Sequence, residues 1–500
     1  MSQLDKLRKQ IDQIDDSLMK LLNERFNITN QIGKVKQEEK LEITNNDREE
    51  EILSKTYGLD QQLAIKKVYQ EIFSTSKGMQ KLNSYLLIKD ASYTYSPAIH
   101  NLLGNPYYQT LENTSFEEFI TNETYHFKGV NITNPYKSSA YEYCVQNNIE
   151  LDEYALKTGV INFVLNNGQL KAYNTDYQGF KSLLTYYNID LNNKDVLVLG
   201  NGSTSKTVQA VLEEYSYNSL TVGVRTKRNE NEIYLSDINQ LNNIDIIINT
   251  TSYGVYPSLE IEPLISLENH HPELIIDVNY NPYRSSLAIN NPKIKYINGL
   301  YMLVEQARIC EELIQNCTID NANTIDIVHK ITSSTNNISL IGMPFSGKTT
   351  IGQKLSAKFG KSFFDSDIIL KEENLSLAKL LSLGFTVEDY RAYESSVIET
   401  LASVPNSVIS TGGGVIENLE NIFFLKQKGL VIFLDTPFDI LKTRILNNRP
   451  LVKNENDLLK LYRKRYESYV ANADIIIRCD SDIDTILSLL EVKINEYYNN

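Results

Sequence analysis

Apolar residues recur at every seventh position at the start of the chain. Leu4, Ile11, Leu18 and Ile32 form one row, interrupted by Arg25, and Leu7, Ile14, Leu21, Ile28 and Val35 form a second. Such paired rows predict one long helix with a coiled-coil-like seam. Arg8 and Lys36 flank that seam. A further helical stripe runs through Ile65, Tyr69, Ile72 and Met79, with Ser76 and Gln80 as polar positions one turn apart. A cation on a buried seam is expensive unless an anion meets it. The pattern alone leaves two readings open: a dimerising helical hairpin that tolerates one Arg, or a site that receives an anion.

The texture changes near residue 84. From there to about 330, short apolar runs alternate with helical stretches and Gly, Asn and Pro turns, an α/β pattern. Ser333 to Asn337 reads as a polar linker, and a second α/β pattern starts at Ile338. The expected architecture is multidomain: an all-α segment at 1–82, a two-lobed α/β unit at 84–332 and another α/β unit at 338–500. A length of 500 residues accommodates three units of ordinary size.

Charge narrows the partners. Lys+Arg 49 against Asp+Glu 63 leaves −14 at pH 7, which disfavours a nucleic-acid or membrane-surface binder. Small anions can still be held by local cationic pockets. The four cysteines show no CxxC spacing, and His270–His271 lacks a nearby ligand set, so neither a disulfide framework nor structural zinc is expected. The charged N-terminus has no apolar signal core, and no apolar stretch approaches the roughly 20 residues of a membrane span. The expectation is a soluble enzyme of the reducing cytoplasm.

Two segments carry phosphate chemistry. The run DVLVLGNGST, Asp195 to Thr204, is an apolar strand, a glycine turn at Gly200 and Gly202, and a helix start at Ser203 and Thr204. Glycines let the backbone approach a pyrophosphate and the helix N-terminus favours anions, as in a dinucleotide-binding (Rossmann) fold, although the third glycine is missing. Where an NAD enzyme would carry an acid for the ribose, this chain has Arg225, Thr226, Lys227 and Arg228. That basic cluster suits a 2′-phosphate and hence NADP(H). The run GMPFSGKTT, Gly342 to Thr350, follows the apolar run Ile338 to Ile341 and is a complete P-loop. Its backbone, from Gly342 through Ser346, Gly347 and Thr350, would wrap ATP phosphates, with Lys348 on the β/γ-phosphates and Thr349 on Mg²⁺.

Residue order then brings families in. LRKQIDQIDDSLMKLLNERFNITNQIGKVK from Leu7, DRE at 47–49, and Ser76 with Gln80 resemble the all-helical chorismate mutase family. The resemblance implies that Arg8 and Arg25 clamp the chorismate carboxylates and that Lys36 and Gln80 face the ether oxygen. Arg48, Glu49 and Ser76 would complete the pocket, and Arg8 would come from a partner chain, hence a homodimer. Asn45 stands where that family usually has Asp.

Thr94-Tyr-Ser96-Pro97, Asn131 to Lys137, Asn162, Asn174-Thr175-Asp176 and Asn298 to Gln306 resemble shikimate dehydrogenase. Lys137 and Asp176 would be its catalytic pair. Thr94, Ser96, Thr133, Asn162, Gln306 and Tyr280 would hold 3-dehydroshikimate, with Gly299 on the cofactor side. Departures are Thr94 for Ser, Tyr177 for Gly and Val224 for Asn. Phe364 to Asp367, Tyr390 to Glu394, Ser410 to Gly414, Arg449-Pro450-Leu451 and Arg465 with Tyr469 resemble shikimate kinase. There Asp367 would take the hydroxyl proton and help hold Mg²⁺, Arg391 and Arg465 would grip the shikimate carboxylate, and Gly413 would lie near the ring. Arg449 would stabilise the transferring phosphoryl group from a lid. Phe345 replaces a glycine common in that P-loop, and the GFTVEDYR segment is longer than usual. The expected function is trifunctional, with the helical segment as a dimerisation or regulatory unit in the alternative.

Overall fold

The structure, a computed structural model, describes residues 2–39, 41–122, 125–255, 260–445 and 451–499. The heptad rows form a single helix, α1 (Gln3–Glu38), followed by α2 (Asn46–Ser54) and α3 (Gln62–Leu82). Asn45 caps α2 by accepting from the Arg48 amide, the job Asp or Asn does well at that position. The apolar rows of α1 are not covered within one chain: Ile14 is 65% and Leu21 62% exposed.

The chain forms two compact units, one of residues 1–190, 202–215 and 302–324 and one of residues 191–201, 216–301 and 325–500. In the first unit the helices run straight into a sheet. α3 ends at Leu82 and β1 (Ser84–Ile88) follows at once, with the buried Asn83 amide group donating 2.6 Å to the His126 carbonyl. The sheet adds β2 (Tyr108–Glu112), β3 (Gly129–Ile132), β4 (Glu150–Leu151), β5 (Phe163–Asn166) and β6 (Leu170–Tyr173) in the order β2-β1-β3-β5-β6-β4. β1 lies parallel to β2 and β3, while β5 runs antiparallel to β3 and β6. Leu87, Val130, Ile132 and Val164 anchor one face against Phe116 and Phe119.

The second unit holds two parallel sheets. The first comprises β7 (Asp195–Leu199), β8 (Ser219–Val224), β9 (Glu232–Tyr234), β10 (Ile246–Asn249), β11 (Leu274–Asp277) and β12 (Lys295–Asn298), in the order β12-β11-β10-β7-β8-β9. The other comprises β13 (Asn337–Ile341), β14 (Ser362–Asp365), β15 (Ser407–Ser410), β16 (Gly429–Asp435) and β17 (Ile475–Arg478), in the order β14-β15-β13-β16-β17. Their strands are nearly continuous Val, Ile and Leu because parallel sheets are buried on both faces. The strand order reverses between β7 and β10 and between β13 and β15, so the loops after β7 and β13 open at the switch points where ligands bind. Those loops are the two glycine turns.

The expected linker at 333–337 is absent. The helix Ala322–Thr335 continues through it, and β13 begins at Asn337. The Ser333, Ser334 and Thr335 hydroxyls donate back to the Lys330 and Ile331 carbonyls, a local pairing that lets a polar run stay helical. Asn337 is buried, donating to the Ala402 carbonyl at 3.0 Å and accepting from the Ser407 amide at 2.9 Å. A second tie spans the two sheets of this unit. Arg284, after β11, donates to both carboxylate oxygens of Asp474 at 2.7 Å, and to the Gly429 carbonyl at 2.6 Å. Burial would raise the Asp474 carboxyl, but the Arg284 charge more than offsets this and holds it below the usual range.

Candidate active sites

In the helical segment, α1 and α3 meet where Arg25 crosses Ser76. The Arg25 Nη1 donates to the Ser76 hydroxyl at 2.6 Å, and its guanidinium lies 5.8 Å from the Phe73 ring centroid. Burial lowers the Arg25 pKa, as expected for a cation with little compensating negative charge nearby. Lys36 donates to the Ile43 carbonyl at 2.6 Å, and the Gln80 carbonyl oxygen of the side chain is buried without a hydrogen-bond partner. Glu49 pairs with Lys77 at 3.1 Å, while Arg48 turns outward to Glu51 in an exposed pair. Arg8 lies seventeen residues before Arg25 on the same helix, which at about 1.5 Å per residue is about 25 Å away. Within one chain these two arginines cannot share a pocket.

The first unit also assembles a buried polar network. Lys137 opens the helix Lys137–Gln146, and its ammonium donates to Asp176 at 2.6 Å. The Asn162 amide donates to the other Asp176 oxygen at 3.0 Å, to the Thr175 hydroxyl at 2.9 Å and to Gln306 at 3.3 Å. Four of the expected residues are therefore joined, and Thr175 joins them although only its neighbour was expected to act. Its hydroxyl bonds both Asn162 and Gln306, a role that only the fold reveals. Thr94 and the buried Ser96 bond each other at 3.2 Å, and the Thr133 amide bonds the Leu87 carbonyl at 3.1 Å.

After β7, Gly200 adopts φ +103°, which only glycine takes at no steric expense, with the Thr250 and Thr251 side chains about 3 Å from where a Cβ would sit. Gly202 faces open space ahead of the helix Ser203–Leu212, which begins at Ser203 and Thr204. Arg225, Thr226, Lys227 and Arg228 are exposed on the loop after β8. Buried Glu232 organises that loop by accepting from the Arg228 and Asn229 amides and from Asn201. Tyr280 follows β11 half-buried, and Gly299 follows β12 so close to Val278 that no side chain would fit.

Two cavities of about 420 and 450 Å³ open around the P-loop, and both are lined by Thr349, Asp365 and Asp367. One of them also takes in Ser346, Gly347, Lys348 and Thr350, and the other Arg391, Gly413 and Arg465. The Lys348 ammonium rests on the Gly342 and Met343 carbonyls at 2.9 Å each. Thr349 donates to Asp365 at 2.6 Å, and Asp365 in turn caps the helix that carries Asp367. The three glycines after β15 are bare because their neighbours leave no room: Gly412 meets Asp367 and Glu394, Gly413 meets Pro344, and Gly414 meets Arg391. Phe345 holds φ +68°, so the residue that replaces a common glycine keeps a glycine-like backbone.

The arginine pair is itself held by carboxylates. Arg391 donates to Glu394 at 2.6 Å. Buried Arg465 donates from Nε and Nη2 to one oxygen of Glu417, at 2.7 and 2.6 Å, and Glu417 stands 3.8 Å from Arg391. Burial raises the Glu417 carboxyl, but Arg465 more than reverses that, leaving it below its usual value. Glu417 does not line the cavity that Arg465 lines, so it steadies the arginine from behind. Nothing in its sequence neighbourhood distinguishes it from a surface acid. The longer GFTVEDYR segment forms a capping box at Thr386 and Asp389. Arg449 lies outside the described residues. Among the described residues no cluster of three or more His, Cys, Asp or Glu side chains could hold a metal ion.

Residues 7–81 match the family model for chorismate mutase type II and residues 344–492 that for shikimate kinase. A shikimate kinase of Clostridium beijerinckii is 38% identical over 156 residues, 31% of this chain and 91% of that protein. A shikimate dehydrogenase (NADP(+)) of the same organism is 32% identical over 257 residues, 48% of this chain and 94% of that protein. The crystal structure of a chorismate mutase/shikimate 5-dehydrogenase fusion protein from Clostridium acetobutylicum superposes with a TM-score of 0.45 at 26% identity, covering 50% of this chain and 97% of that one. The chain thus belongs to the shikimate dehydrogenase and shikimate kinase families through successive α/β segments, behind a helical segment that matches the family model for chorismate mutase type II.

Proposed function

We propose that one chain performs three reactions, through functional segments at 1–82, 84–332 and 338–500: chorismate to prephenate, NADPH-dependent reduction of 3-dehydroshikimate to shikimate, and ATP-dependent phosphorylation of shikimate. The observation that carries this reading is the pair of cavities lined in common by Thr349 and Asp367, one bearing the P-loop and the other two arginines for a carboxylate. An acid with a hydroxyl group near Asp367 meets the nucleotide's terminal phosphate at that common wall. Asp367 accepts or orients the hydroxyl proton while Lys348 neutralises phosphate charge. Mg²⁺ supplies further charge neutralisation when bound, with Thr349 and Asp367 as its protein contacts.

In the dehydrogenase segment, NADPH would supply the hydride for the C3 carbonyl carbon, and Lys137 would deliver the proton to its oxygen. Asp176, 2.6 Å away, holds the ammonium in place, and Asn162 and Gln306 extend the network toward ring hydroxyls. The helical segment needs no proton donor, because the rearrangement is pericyclic. It needs a compact conformer and positive charge beside the breaking C–O bond, supplied by Arg25 and Lys36. Arg8 is about 25 Å from Arg25 on one helix and the apolar rows of α1 are exposed, which supports a homodimer in which Arg8 serves the partner's pocket. The arrangement of Arg25 on Ser76 favours an active mutase over a plain dimerisation or regulatory unit. Four free thiols suit a chain that acts in the cytoplasm.

Given 3-dehydroshikimate, NADPH, ATP and Mg²⁺, the purified chain should make shikimate 3-phosphate unaided. NADPH should exceed NADH in kcat/KM by about tenfold or more, because Arg225 and its neighbours can meet a 2′-phosphate. Arg225→Ala should narrow that ratio. Equal values for the two cofactors in the parent chain would count decisively against the assignment.

Glu417→Gln tests the arginine pair. Losing the charge that orients Arg465 should raise KM for shikimate about tenfold, roughly the worth of one charge-assisted hydrogen bond. KM for ATP should hold. A lower KM for shikimate would instead mean that Glu417 competes with the substrate.

A further inference from the structure

The helical segment is not docked loosely on the dehydrogenase lobe of its unit. Gly78 of α3 is bare because the Tyr107 ring lies against it: a Cβ there would clash with the phenol oxygen. Gly33 of α1 is bare for a similar reason, its would-be Cβ lying 2.9 Å from His126 Nε2 and 3.0 Å from Gln80 Cγ. His126 is buried, on the segment that leads into β3, and its Nε2 lies 3.4 Å from the main-chain carbonyl of Gln80. It therefore bridges the two helices that carry Lys36 and Gln80.

A cavity of about 530 Å³ opens at this junction. Lys36 and Gln80 line it from the helices, and His126, Phe127 and Lys128 line it from the dehydrogenase lobe. Among the described residues its lining includes the lysines 36, 81 and 128 and no carboxylate, so it suits an anion. The buried, unpartnered Gln80 side-chain oxygen belongs to the same junction.

We propose that the dehydrogenase lobe completes the mutase pocket, with His126 as a positioning residue that holds Gln80 against the substrate and Lys128 adding charge to the wall. This rests on the mutase reading of the helical segment. In that arrangement the ether-oxygen end of the pocket is closed by a lobe whose own chemistry is a reduction. Chorismate bound there touches both parts of the unit.

The test uses the full chain. His126→Ala should lower kcat for prephenate formation about tenfold while KM for chorismate moves less than threefold, and dehydroshikimate reduction stays within twofold of the parent. His126→Phe, which keeps a ring against Gly33, should retain most of the mutase rate. Hydrogen exchange with chorismate added should protect amides at 126–128 together with those of 76–82. Protection confined to the helices, with parental mutase kinetics in His126→Ala, overturns this inference and leaves the mutase reading standing. A parent chain that makes no prephenate and gains no protection from chorismate in α1 or α3 overturns both.

Discussion

Lys348→Ala stops the sequence at shikimate. The Lys348 ammonium donates to the Gly342 and Met343 carbonyls of its own loop, and in the loaded site it would reach the nucleotide phosphates. Losing one preorganised donor to a transferring phosphoryl group lowers kcat about a thousandfold. The loop itself should survive, because Tyr469 still donates to the Gly342 carbonyl at 3.1 Å and the stability loss is about 1 kcal/mol. Chromatography of a reaction started with 3-dehydroshikimate, NADPH, ATP and Mg²⁺ should show stoichiometric shikimate and an unchanged rate of NADPH oxidation. Loss of NADPH oxidation in the same variant would sink the separation of the two sites, and better phosphorylation of another polyol by the parent would sink the substrate.

Arg25→Ala should abolish prephenate formation, by at least about a hundredfold, and leave the other two activities within twofold. Burial already disfavours the Arg25 cation, and its short bond is to a neutral hydroxyl. Removing it therefore strands no buried carboxylate. Ser76 still donates to the Ile72 carbonyl at 2.7 Å, so thermal unfolding of the variant should shift by only a few degrees in either direction. Spectroscopic assay of chorismate consumption alongside a melting curve reads both. Retained rearrangement would reduce the helical segment to a dimerisation unit.

The sequence is most legible where chemistry is local. The heptad rows run as one helix because each residue reports its own face. The two glycine turns likewise declare themselves, since strand, turn and helix start are contiguous. Lys137 and Asp176 are distant in sequence, and only family resemblance could pair them before the fold did. Thr175 and Asp365 stand in motifs but carried no role of their own, and Glu417 carried none, because each acts on a neighbour that folding brings near: Asn162, Thr349 and Arg465. The polar run at 333–337 misled for a physical reason. Ser and Thr compete with the helix backbone in most settings, yet here their hydroxyls bond back one turn and the buried Asn337 pairs with the backbone of β15 and its flanking helix.

The Arg284–Asp474 pair gives the fusion a kind of memory. Each partner lies in a segment related to a separate family, yet neither charge is tolerable in its buried place without the other. Removing one member of such a pair destabilises by about 3–5 kcal/mol, a large part of the stability of an ordinary domain. Lineages that inherit this chain can therefore change residue 284 or residue 474 only in step.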